Sequence, residues 1–181
     1  MKMTFRWYGK SDQIPLEYIK QIPGMTGVVT AIYDIPVGEV WPLEEIIGLK
    51  KEINNANLEM EVIESVPVHE DIKMGLPSRE KYIENYKQNI RNLAEAGVKV
   101  ICYNFMPVFD WTRSNLDYKL PDGSTALVYY KNEVEKMDPR KGDLSLPGWD
   151  ASYKKDEMNA VLEKYKNISE EDLWNNLKYF L

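Results

Sequence analysis

Gly27-Val28-Val29-Thr30-Ala31-Ile32 is a nearly continuous run of apolar and β-branched residues, the pattern of a strand buried on both faces. Similar runs lie on either side of it. Thr4–Tyr8 reads as a short strand ending in aromatics, Glu61–Val66 as a third strand and Val98–Asn104 as a fourth. Helical stretches separate them. Ser11–Ile22 is a short helix with Pro15 in its first turn. Pro42 opens a second helix, with Glu44 and Glu45 where the helix dipole favours anions and an apolar stripe of Leu43, Ile46, Ile47 and Ile53. Ser78 caps a third, whose buried face is Tyr82, Ile83, Tyr86, Ile90 and Leu93 and which Gly97 ends. The first half is therefore β-α-β-α-β-α-β, which predicts a parallel sheet with right-handed crossovers.

The rhythm breaks after the fourth strand. Residues from about 110 to 148 form an insertion rich in Pro, Gly, Asp and aromatics, with a hairpin over Leu116–Tyr130 turning at Asp122-Gly123. Two helices follow, one carrying Met158, Val161, Leu162 and Tyr165, the other capped by Ser169 and carrying Leu173, Trp174, Leu177 and Leu181. That last stripe runs to the final residue and would ordinarily lead into another strand. The expectation is one domain over 1–181 that forms part of a larger one.

Composition narrows the function. The chain has 181 residues, 44% hydrophobic, with 23 Lys and Arg against 29 Asp and Glu, for a net charge of −6. An acidic chain with no basic cluster is a poor binder of nucleic acid or of an anionic membrane. An anionic substrate would need local Arg or Lys to overcome that field. No apolar stretch approaches the roughly 18 residues of a membrane span, and Met1-Lys2-Met3-Thr4 lacks a signal peptide's apolar run, so a cytoplasmic protein is expected. Cys102 and His69 are the only cysteine and histidine. They exclude an intramolecular disulfide and a multi-cysteine zinc site.

Ligands in parallel α/β folds bind beyond the carboxyl ends of the strands. Those positions hold Trp7 and Tyr8, then Tyr33 and Asp34, then Glu64, Ser65, His69, Glu70 and Asp71, and last Asn104, Asp110, Trp111 and Arg113. Glu64 is a base, a hydroxyl acceptor, or an inward carboxylate paired with a cation. His69 is a general acid or hydrogen-bond donor, or a loop histidine satisfied by Glu70 or Asp71. Arg113 suits bidentate pairing with a substrate carboxylate, or an ion pair with Asp110 that orders the loop. Cys102, between Ile101 and Tyr103, reads as a small core residue. These positions contain no phosphate-cradling glycine loop and no nucleophile elbow.

Five segments carry a resemblance. They are Phe5-Arg6-Trp7-Tyr8-Gly9; Gly27-Val28-Val29-Thr30-Ala31 with Ile35-Pro36-Val37-Gly38-Glu39-Val40-Trp41; Val62-Ile63-Glu64-Ser65-Val66-Pro67-Val68-His69-Glu70-Asp71-Ile72-Lys73; Cys102-Tyr103-Asn104-Phe105-Met106-Pro107-Val108-Phe109-Asp110-Trp111-Thr112-Arg113; and Leu120-Pro121-Asp122-Gly123-Ser124. Together, and in order along the chain, they resemble the mannonate dehydratase family. The resemblance implies a (β/α)8 TIM barrel of the xylose-isomerase-like kind, of which this chain supplies about four βα units plus the hairpin insertion. It implies loss of water from D-mannonate to give 2-dehydro-3-deoxy-D-gluconate in hexuronate breakdown. It also implies a divalent metal, usually Mn2+, that stabilises enediolate-like charge. The implied metal ligands and main catalytic residues lie in the second half of the family's barrel, so none is expected here. The implied substrate-binding residues in this chain are Trp7, Glu64, His69, Asn104 and Arg113. The implied partner is a small sugar acid, and the full-length protein is expected to be a homo-oligomer. Two other readings are a non-catalytic half-barrel that associates with itself or a complementary half, and a sugar-acid isomerase or epimerase on the same barrel.

Overall fold

The computed structural model describes residues 1–109, 112–137 and 155–181. Asp110, Trp111 and the end of the expected insertion lie outside the described residues. The chain divides into two compact units, Met1–Phe105 with Trp174–Leu181, and Met106–Leu173.

The first unit is built on a parallel sheet in the order β1-β2-β3-β4, formed by β1 (Met3–Arg6), β2 (Met25–Thr30), β3 (Glu59–Ile63) and β4 (Val100–Ile101). A 3-10 turn, Gly9–Ser11, and α1 (Leu16–Lys20) join the first two strands. The single helix expected over Ser11–Ile22 is thus only five residues long, and Pro15 is its N-cap. Proline has no amide hydrogen to lose at a helix start. Between β2 and β3 runs α2 (Leu43–Asn55), with Pro42 as N-cap and Ile46 and Ile53 buried. The short helix α3 (Glu70–Lys73) and then α4 (Arg79–Glu95) lead on to β4.

Two details of α4 differ from the sequence expectation. The Ser78 side chain makes no cap bond; its hydroxyl donates to Asp71 Oδ2 instead. Ile90 is 43% exposed, while Asn89, one residue earlier, is buried in the packed face. The fourth strand is also shorter than expected, although its pairing continues through Cys102, whose N–H donates to Ile63 O at 2.8 Å. Cys102 is half-buried rather than a core residue, because it has already left the strand.

The core lies on the helix side of the sheet. Trp41, Ile46, Ile53, Ile63, Leu93 and Val28 are fully buried there. The last helix, α7 (Glu170–Phe180), begins in the second unit and ends in the first. The Phe180 ring lies 5.0 Å from that of Tyr86, 5.7 Å from Tyr103 and 6.0 Å from Phe105.

The second unit contains the antiparallel hairpin β5 (Asn115–Lys119) and β6 (Thr125–Val128). Its turn holds Gly123 at a φ of 85°, a conformation that favours glycine. Asp122 Oδ1 accepts from Ser124 N–H at 3.0 Å, so the Asp122-Gly123 signal gives the turn expected of it. The helices α5 (Lys131–Val134) and α6 (Lys155–Tyr165) also belong to this unit.

Candidate functional site

The carboxyl ends of β1 to β4 gather the polar residues that the sequence singles out. Glu64 directly follows β3. Its N–H donates to Thr30 O at 2.8 Å, which extends the pairing with β2 by one residue. The side chain is exposed, and the Glu64-Ser65 peptide is cis. Asn104 follows β4, and its Nδ2 approaches Ser65 Oγ at 3.5 Å. Glu64 and Asn104 therefore stand over adjacent strand ends. The Glu64 carboxylate accepts hydrogen bonds and the Asn104 amide both donates and accepts, chemistry suited to hydroxyl groups.

His69 is more firmly engaged. As N-cap of α3 its Nδ1 accepts from Asp71 N–H at 3.1 Å, so the neutral ring carries its proton on Nε2. The imidazole stacks on Tyr82, with ring centroids 3.6 Å apart. Gly38 meets its other surroundings: at φ 88°, an added Cβ would lie 2.6 Å from Tyr82 Cδ1 and 2.8 Å from His69 Cδ2. Burial lowers the His69 pKa below the ordinary value, against the opposing pull of the Asp71 and Glu70 carboxylates. Beside it, Lys73 Nζ pairs with Glu70 Oε1 at 2.6 Å.

The loop between β2 and α2 is tied to α4 by a ladder that the sequence reading missed. Asn85, Asn89 and Asn92 fall at i, i+4 and i+7 and so share one helix face. Asn85 Nδ2 donates to Gly38 O at 2.8 Å and Asn89 Nδ2 to Glu39 O at 3.1 Å. Asn89 Oδ1 accepts from Trp41 N–H at 2.7 Å, and Asn92 Nδ2 donates to Trp41 O at 2.8 Å. A loop buried against a helix has backbone groups that need partners, and this polar row supplies them. The detectable signal was the regular asparagine spacing, which an apolar-stripe search passes over.

Trp7 is 3% exposed and packs in the core, its N–H bonded to Val29 O at 2.9 Å. It supports the strand ends from the helix side. It also borders a cavity of about 580 Å³ with Lys10, Leu16 and Asn55. Glu64, His69, Asn104 and Trp7 belong to the first unit, whereas Arg113 belongs to the second. There Arg113 is half-buried, and its Nη1 donates to Thr112 O at 3.0 Å.

Among the described residues no three His, Cys, Asp or Glu side chains converge to hold a metal ion. The donor set agrees: the imidazole Nδ1 already caps α3, and Cys102 stands past the end of β4. These residues do not fit a metal centre.

A parallel β/α sheet with its polar groups at the strand ends is a partial TIM barrel of the kind that carries enzyme sites. The comparisons narrow that class. The D-mannonate dehydratase (UxuA) family model matches residues 1–181, and the chain belongs to that family. It is 63% identical over 182 residues to a mannonate dehydratase of Streptococcus suis (strain 05ZYH33), covering 100% of this chain and 50% of that protein. It is 60% identical over 181 residues to mannonate dehydratase 2 of Halalkalibacterium halodurans, covering 100% of this chain and 52% of that one. The crystal structure of mannonate dehydratase from Streptococcus suis serotype 2 superposes with a TM-score of 0.87 at 58% identity, over 99% of this chain and 48% of the other. The chain spans about half the length of the curated relatives it matches.

Proposed function

We propose that this chain is the first half of a hydro-lyase barrel that removes water from D-mannonate to give 2-dehydro-3-deoxy-D-gluconate in hexuronate catabolism. The observation that carries this reading is identity of 63% along the whole chain to a mannonate dehydratase. In it, residues from about 110 to 148 form an insertion within one barrel domain, and Glu64 and Asn104 bind hydroxyl groups of the sugar acid at the open strand ends. His69 and Trp7 hold those ends in shape, and Arg113 is a further substrate-binding residue of this reading. In this reading the metal is Mn2+, held by ligands of the barrel's second half. With the metal ligands and main catalytic groups in that second half, the chain is inactive alone.

Cytoplasmic residence suits a sugar-acid enzyme, and no described helix is long and apolar enough to cross a membrane. A homo-oligomer of the full-length protein is part of the same reading. An association-competent half-barrel also has support, since Val100 on the outermost strand is 48% exposed and both edges of the sheet are unpaired among the described residues.

The test is reconstitution. The purified chain is incubated with D-mannonate and Mn2+, alone and after co-expression with the second half of the Streptococcus suis enzyme. The expected outcome is no product alone and 2-dehydro-3-deoxy-D-gluconate on reconstitution. Turnover by the chain alone, or none in the reconstituted pair, refutes the reading.

A further inference from the structure

The sheet has a covered face and an open one, and the side chain that stands out on the open face is Arg6. Phe5 and Trp7 both pack into the core, so strand alternation turns Arg6 to the opposite side. Register carries that position across the sheet. Arg6 pairs with Val29, Val29 with Val62, and Val62 with Val100. The row is three valines and one guanidinium.

Arg6 is poorly provided for in that row. Its Nη1 is buried and has no hydrogen-bond partner among the described residues. The guanidinium carbon lies 4.8 Å from the centre of the Tyr8 ring, a cation–π contact that fixes its plane without neutralising its charge. Tyr33, after β2, is a second neighbour: burial raises its pKa and the Arg6 charge opposes the rise. A buried guanidinium donor left unmatched is costly and is ordinarily retained for a partner. In a chain of net charge −6, an unmatched cation just below the strand ends is also where an anion finds local attraction.

We propose that Arg6 is an anion-binding residue whose guanidinium receives the carboxylate of the sugar-acid substrate. This rests on the function proposed above and gives that site its polarity. The carboxylate goes to the β1 side, and the hydroxylated body extends toward Glu64 and Asn104. The Glu64 carboxylate enforces this direction by repelling the substrate's charged end. Tyr8 keeps the guanidinium in one orientation, so that less side-chain freedom is lost on binding.

The 181-residue chain is titrated with sodium D-mannonate and with neutral D-mannitol, followed by NMR. Saturable binding of D-mannonate but not of D-mannitol is expected. Arg6→Gln weakens it by at least about tenfold, the loss of one charge-assisted bond, and Arg6→Lys by less. Arg91→Gln, on the exposed side of α4, leaves it within about twofold, less than one such bond. Circular dichroism checks the fold, and if Arg6→Gln fails to fold, a comparison of Arg6→Lys with wild type decides. Equal affinity in every folded Arg6 variant, equal binding of D-mannitol, or no saturable binding to the wild-type chain overturns the proposal. The last two results with an active reconstituted enzyme remove Arg6 alone. An inactive reconstituted enzyme removes the function itself.

Discussion

The two faces of the parallel sheet are built from similar residues and end in different environments. On the helix side Val28 and Ile63 are fully buried, under α2 and α4. On the other side Val29 and Val62 are half-buried and Val100 is exposed. Antiparallel sheets that face water on one side alternate apolar with polar residues; these strands do not, which is the composition of a sheet covered twice. The difference locates the chemistry. The covered face carries stability, with Thr30 as its buried polar exception, and Arg6, Glu64 and Asn104 lie on or just beyond the open face.

That comparison breaks if the two faces respond alike to substitution. The largest effect is expected at Trp41→Ala, which removes a side chain 2% exposed and should cost about 3–5 kcal/mol in urea denaturation. Asn89→Ala comes next. It leaves Trp41 N–H without its acceptor and should cost about 1–3 kcal/mol, whereas Ile90→Ala, one residue along the same helix and exposed, should cost much less.

A smaller effect comes from His69. Its folded pKa lies below the ordinary value of about 6.5, so folding favours the neutral ring. The associated stability is full above pH of about 6.5 and is lost as pH falls from there through the lowered folded pKa. Asp71, Glu70 and Glu39 raise that pKa and Lys73 lowers it. His69→Gln should therefore flatten the acid side of the stability profile; an unchanged slope would assign the loss to carboxylates elsewhere. The smallest effect is Val100→Ser on the open face, within about 0.5 kcal/mol for the chain alone. A cost matching that of Trp41→Ala would mean that this face is already covered.

The βα alternation was legible because each buried strand is a β-branched run and each long helix has an apolar stripe. What escaped was polar. Asn89 sits inside the α4 stripe that the pattern assigned to Ile90, since helical periodicity counts apolar residues and ignores a buried amide that serves a neighbouring loop. Ser78 has the composition of a cap, but its hydroxyl bonds Asp71, a contact made across the turn between two helices. For Trp7 and Arg6 the alternation was present in the sequence. Choosing which of them faced the core required the register with β2, and that is a long-range property. His69 was read as either a donor or a satisfied loop residue. Its Nδ1 is satisfied by Asp71, which leaves Nε2 as the donor.

The chain leaves its first unit at Phe105 and rejoins it at Trp174, and the Phe105 and Phe180 rings sit 6.0 Å apart. Departure and return thus meet at one aromatic clasp. An excursion anchored in this way can lengthen, shorten or change sequence at little entropic cost, so evolution has a place to rewrite this protein while the sheet stays in register.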